Sequence, residues 1–174
     1  MEHWHRSGQA LLNEISSTRL PANQLAVWSI GQCGFIFKYE DTVVCIDPVL
    51  SDLTGPSGSR RCYPAPFAPE ALRADLVLCT HGHADHMAKE TLRGLARHPA
   101  ARFVFPSGCS ALAAEYGIPA DRITTVQEGS ILPLGGVTVR AFSAAHPEHI
   151  LDAGDPGMAL GYQLTFGGFT VVHL

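Results

Sequence analysis

Asp75-Leu76-Val77-Leu78-Cys79-Thr80-His81-Gly82-His83-Ala84-Asp85-His86 is the stretch on which the reading of this chain turns. Its first half is a short apolar run of the kind that forms a buried strand, and Ala88 to Arg97 after it reads as a helix. Between them lie three histidines and one aspartate. Imidazole and carboxylate suit divalent ions such as zinc, iron and manganese. A ligand cluster where a strand gives way to a helix has stiff backbone on both sides. In an extended loop, side chains two residues apart point the same way, so His81 and His83 are expected to grip one ion. Asp85 and His86, at the entry to the helix, face a second point nearby. Two ions about 3.5–4 Å apart would share one activated water.

Working outward toward the N-terminus, residues 8–16 read as a short helix. Three β-like runs follow: Leu25–Ile30, Phe35–Tyr39 and Thr42–Ile46, with turns at Gly31-Gln32-Cys33-Gly34 and Glu40-Asp41. The third run ends in Asp47-Pro48. Residues 48–69 are rich in Pro, Gly and Ser and read as loop. They carry Arg60-Arg61, a pair able to receive a substrate phosphate or carboxylate, although solvated surface arginines are the commoner case.

Toward the C-terminus, Arg102–Phe105 reads as a strand. Ser107 is the expected N-cap of a helix over Ser110–Tyr116, with Gly117 closing it. Ile123–Val126, Ser130–Leu134 and Val137–Phe142 are expected to open a second, antiparallel sheet. His146 lies just past the last of these runs, where a distant metal ligand should arrive, and His149 is the alternative. Met158–Phe166 and Phe169–Leu174 form a hairpin around Gly167-Gly168. Cys79, two residues before His81, is a further donor to weigh, against the usual burial of a core thiol.

His-x-His-x-Asp-His after an apolar strand resembles the signature of the metallo-β-lactamase superfamily. The segments Gly31-Gln32-Cys33-Gly34-Phe35, Ile46-Asp47-Pro48 and Ala145-His146 are similar to the branch that includes L-ascorbate-6-phosphate lactonase. The resemblance implies an α/β (α+β) fold, the αββα sandwich, with metals at one edge. It implies His81, His83 and His146 on a first ion and Asp85 and His86 on a second, with Asp47 supporting them from behind. It also implies an aspartate and a histidine further along than Leu174. The chain is therefore expected to be one domain over 1–174, incomplete at its C-terminus and with a depleted second metal site.

Composition sets the outer limits. The 174 residues are 46% hydrophobic and 16% charged, enough for one domain with a real core. A net charge of −4 offers no basic footprint for nucleic acid. No apolar run approaches the roughly 18 residues of a membrane span. The five cysteines include no CxxC pair, which fits a reducing cytoplasm. Neither a Gly-x-Ser-x-Gly elbow nor a P-loop occurs. The expected activity is hydrolysis of a small ester, lactone or phosphorylated substrate by hydroxide made on zinc or manganese, with iron also compatible. Asp85 would orient the water or take its proton. The alternatives are a nuclease or phosphodiesterase on the same scaffold, a di-iron redox protein, or an inactive metal-binding module. An unfinished second sheet would expose an apolar face and favour a homo-oligomer.

Overall fold

The computed structural model describes residues 4–21, 23–53, 61–144 and 159–174. Among these residues, ten strands form two sheets. The first contains β1 (Ala26–Gly31), β2 (Gly34–Tyr39), β3 (Thr42–Ile46), β4 (Leu76–Leu78), β5 (Arg102–Pro106) and β6 (Ile123–Val126), in that spatial order. β1 to β3 form an antiparallel meander, and β3 to β6 run parallel. The second sheet is antiparallel, in the order β10 (Phe169–His173), β9 (Leu160–Phe166), β8 (Val137–Ser143), β7 (Ile131–Leu134).

The period-2 alternation of the first sheet decides the layering. Val44 and Ile46 of β3, Leu76 and Leu78 of β4 and Val104 of β5 face the second sheet. There they meet Val137, Val139, Leu160, Tyr162, Leu164 and Phe166. Cys45, Val77, Phe103 and Phe105 take the opposite face. That face is covered by α1 (Gly8–Ser17), α2 (Lys89–Leu95) and α3 (Ser110–Glu115) through Leu11, Ile15, Leu92, Leu95 and Ala113. A sheet buried on both faces reads as unbroken apolar runs, which is why β4 is Leu-Val-Leu. Among the described residues, the helices lie on the first sheet only.

Lys38 of β2 is buried, and its ammonium caps the C-terminal end of α1 by donating to the Ile15 and Ser16 carbonyls at 2.8 and 3.0 Å. Two expectations need correcting. Ile123–Val126 does not open the second sheet; it pairs parallel with β5 at the edge of the first. α3 lies between β5 and β6, and a strand–helix–strand connection returns the chain parallel to its start. Ser107 makes no cap hydrogen bond; it begins a short 3-10 turn through Cys109 and accepts from the Ser110 hydroxyl at 2.6 Å. Gly117 does close α3, with a left-handed φ of +73°.

Candidate metal centre

The parallel strands β3 and β4 end side by side, and the candidate residues hang from those two ends. Asp47 follows β3 with a left-handed φ of +44°, an unfavourable state for a residue with a Cβ. It is fully buried. Its Oδ1 accepts the Thr80 N–H at 2.7 Å, and its Oδ2 accepts the Thr80 hydroxyl at 2.8 Å. This carboxylate therefore ties the end of β3 to the end of β4, and the hydrogen bonds offset the backbone strain.

The same Oδ2 accepts from His86 Nδ1 at 2.9 Å and from His173 Nε2 at 2.9 Å. Thr80 Oγ1 lies 3.0 Å from His81 Nδ1. Proton accounting then fixes the tautomers. The single hydroxyl hydrogen of Thr80 is directed at Asp47, so His81 Nδ1 must be the donor in its contact with Thr80. A carboxylate only accepts, so His86 Nδ1 also carries hydrogen. Both rings in their neutral form are thereby left with Nε2 as the electron-pair donor, the state that a metal ligand needs.

The motif itself is tighter than an extended loop. His81 sits in a β-bridge with Ala159, and the Leu160 N–H donates to the Thr80 carbonyl at 2.9 Å, which stitches the second sheet to the motif. The chain then turns: the N–H groups of His86 and Met87 both reach the His83 carbonyl, at 3.0 and 2.7 Å. The turn brings the imidazoles together. The ring of His81 lies 4.7 Å from that of His83 and 4.1 Å from that of His86, centre to centre. Asp85 points outward with 53% of its side chain exposed, and its Oδ2 is 4.0 Å from His86 Nε2.

Burial by itself would raise the Asp47 carboxyl. Hydrogen bonds from His173 and His86, the charge of His86 and the Thr80 N–H outweigh it and bring the value down to about 2. Burial lowers His86, but the Asp47 hydrogen bond and the charges of Asp47 and Asp85 leave it raised overall.

The site residues named from sequence are distributed as follows. His81, His83, Asp85, His86 and Asp47 converge on one edge. His146, its alternative His149, and Arg60 lie outside the described residues. Arg61 turns back on its own loop: its guanidinium donates to the Val49 and Ile30 carbonyls and lies 5.3 Å from the centre of the Tyr63 ring. Cys79 is fully buried in the helix-side core, and burial pushes its thiol well above its ordinary value. His173 is the residue that the sequence reading passed over.

The donor set has the right chemistry for a divalent ion: three imidazoles, with Nε2 of His81 and His86 the electron-pair donor of the neutral ring, and a carboxylate beside them. Among the described residues, however, no three His, Cys, Asp or Glu side chains are arranged around a common point. The donors fit a metal in kind, and the set is incomplete within the described part of the chain.

The family described as "Beta-lactamase superfamily domain" matches residues 42–174, which include the whole of this edge. The chain belongs to the metallo-β-lactamase superfamily. Among relatives of this superfamily member, an uncharacterized protein of Mycobacterium tuberculosis is 33% identical over 129 residues, covering 72% of this chain and 35% of that protein. A metal-dependent hydrolase of Methanosarcina mazei is 24% identical, over 86% of this chain and 60% of its own. A Salmonella paratyphi B protein named "Probable L-ascorbate-6-phosphate lactonase" is 26% identical, over 79% of this chain and 46% of its own. The chain thus spans about a third to three-fifths of the length of these relatives. Among solved structures, CmlA, a diiron β-hydroxylase from Streptomyces venezuelae, superposes with a TM-score of 0.63 at 24% identity, over 88% of this chain and 30% of its own. Likeness at that identity speaks for the shared metallo-β-lactamase fold.

Proposed function

We propose that this chain carries the metal-binding half of a hydrolase that attacks a small ester, lactone or phosphorylated substrate. The observation that carries this reading is the Asp47–Thr80 pair, which holds His81 and His86 in the Nδ1–H tautomer and leaves Nε2 of each neutral ring as the electron-pair donor. A core histidine satisfied for its own sake would not need its neighbour oriented by the same carboxylate. Family membership and relatives named as metal-dependent hydrolases support the reading.

His81, His83 and His146 would hold a first ion, and Asp85 and His86 a second. When bound, a divalent ion supplies Lewis acidity and brings the ionisation of water toward neutral pH. The protein's part is then to orient. Asp47 fixes His86 directly and fixes His81 through Thr80. Asp85, exposed beside His86, would accept a proton from the attacking water. Zinc or manganese is the proposed ion, with iron compatible with the same donors. All five cysteines are thiols, which fits a cytoplasmic setting. Among the described residues, no helix is long and apolar enough to cross a membrane. Val172 and Leu174 on β10 and beyond it, and Ile131 on β7, are exposed apolar side chains that suit association with a second copy.

Elemental analysis of the protein purified without chelator tests the reading. One ion or more per chain, together with ester or lactone hydrolysis that chelator abolishes and added ion restores, is the expected result. Protein free of metal and unable to bind added zinc, manganese or iron refutes it.

A further inference from the structure

An open-sided slot of about 410 Å³ lies against the histidine turn. Gly82 and His83 form one wall. Cys109, Ala111 and Leu112, from the segment that leaves β5 and from α3, form the other, and Glu115 stands at the rim. We propose that this slot receives an uncharged hydrocarbon arm of the substrate, alkyl or aryl, and sets the preference for chain length. The inference rests on the hydrolase reading and narrows it to esters and lactones with an apolar arm.

Three observations support it. The slot is continuous with the candidate centre, because His83 lines it and the His83 ring is 4.7 Å from that of His81. A group bound there would hold its carbonyl beside the histidines. The wall also depends on a bare backbone: a Cβ on Gly82 would come within 3.3 Å of Leu112 Cδ2 and 3.4 Å of Cys109 Sγ. Glycine at this point lets the histidine turn sit close over an apolar floor. The charges of the lining itself disfavour an anion. Among the described residues, no lysine or arginine lines the slot, and the Glu115 carboxylate does. The nearby Lys89 ammonium is 3.3 Å from Glu115 and 5.5 Å from the centre of the Tyr116 ring, so it neutralises the rim instead of adding a positive charge to the slot. Arg61 donates to the Val49 and Ile30 carbonyls, and neither residue lines the slot. A phosphate-bearing arm would meet apolar walls and a carboxylate, whereas an alkyl arm loses contact with water at each carbon.

The test is a chain-length series of p-nitrophenyl esters, acetate, butanoate and hexanoate, read as kcat/KM. Partial burial in an open slot gives about a twofold gain per methylene, so hexanoate, four methylenes longer than acetate, should exceed it roughly 15-fold. Ala111 is an exposed helix position, so Ala111→Trp should fold, and its indole would fill the slot. The hexanoate-to-acetate ratio should then fall to near one. Ala114→Trp, also exposed on α3 but outside the slot, should keep the wild-type ratio. A flat wild-type series, or an Ala111→Trp ratio equal to wild type, overturns the proposal. Absence of turnover with every ester counts against the hydrolase reading instead. The slot is then read separately by titrating n-hexanol against the methyl resonances of Ala111 and Leu112. Saturable shifts that Ala111→Trp removes support it, and unmoved resonances overturn it.

Discussion

Replacing Asp47 by asparagine removes one charge and puts a donor where donors already point. The native carboxylate accepts from Thr80 twice, from His86 and from His173. If the amide nitrogen takes the Oδ2 place it opposes His86 Nδ1–H and His173 Nε2–H; in the Oδ1 place it opposes the Thr80 N–H. Each buried donor left facing another costs about 1–3 kcal/mol. The carboxyl gives a second route to the magnitude. Held at about 2 against an ordinary 3.8, it contributes about 2–3 kcal/mol at neutral pH. Both routes put the loss near 3 kcal/mol, or a fall in Tm of about 6–12 °C for a chain of this length. The sign with pH follows from the lowered value. The stabilisation is full above about pH 4, is about half gone at pH 3, and disappears as pH falls through about 2. Urea unfolding of wild type and Asp47→Asn in chelator, at pH 7 and pH 3, isolates the hydrogen-bond network from bound metal. The gap between them should be about 3 kcal/mol at pH 7 and clearly smaller at pH 3. A gap below about 1 kcal/mol at pH 7, or one that does not shrink with acid, refutes the account of Asp47 as an ionised clamp.

Three further perturbations have defined outcomes. His173→Leu should weaken cobalt binding about 10- to 100-fold by equilibrium dialysis, with partial recovery in His173→Gln, because it frees the carboxylate that orients His86. Unchanged affinity would make His173 a packing residue only. Lys38→Met should cost about 1–2 kcal/mol by leaving the Ile15 and Ser16 carbonyls uncapped, and amide exchange across residues 8–17 should quicken before the sheets respond. Gly94→Ala should destabilise by about 1–2 kcal/mol in a thermal melt even though alanine is the better helix former. Its Cβ would lie 2.6 Å from Pro69 Cγ and 2.8 Å from Pro69 Cβ, and overpacking against a rigid ring outweighs about 1 kcal/mol of propensity. A variant as stable as wild type would show that the 3-10 turn at Pro69 yields easily.

The strand–motif–helix unit was legible because each part has a strong local pattern: three apolar residues, a polar cluster of metal-ligand types, then helical spacing. Asp47 was legible as an acid at a strand end. β6 was misplaced because Ile123-Thr-Thr-Val reads as a strand in any sheet. The cue to its partner lay in the helix before it, which demands a parallel return. His173 was hidden for a different reason. It shares the partly buried face of β10 with Phe169 and Val171, and in an alternating strand it passes as one more inward position. Its parity was readable; its partner, 126 residues earlier in the chain, was not. The turn over His83–His86 also escaped a reading based on strand periodicity, since its shape comes from two N–H groups sharing one carbonyl.

Both sheets lay their strands down in chain order, so each strand pairs with its neighbour in sequence. The β1–β2 and β2–β3 connections are two-residue turns that cost little closure entropy, so the meander that begins the first sheet can form early. During synthesis from the N-terminus, β1 to β6 can be in place while β9 and β10 are still being made. The clasp between Asp47 and His173 spans 126 residues and can close only after β10 has been made. A nascent chain would therefore hold His81 and His86 on a half-supported carboxylate until β10 docks. Competence to take up an ion therefore waits on β10, and metal loading would report that this strand has docked.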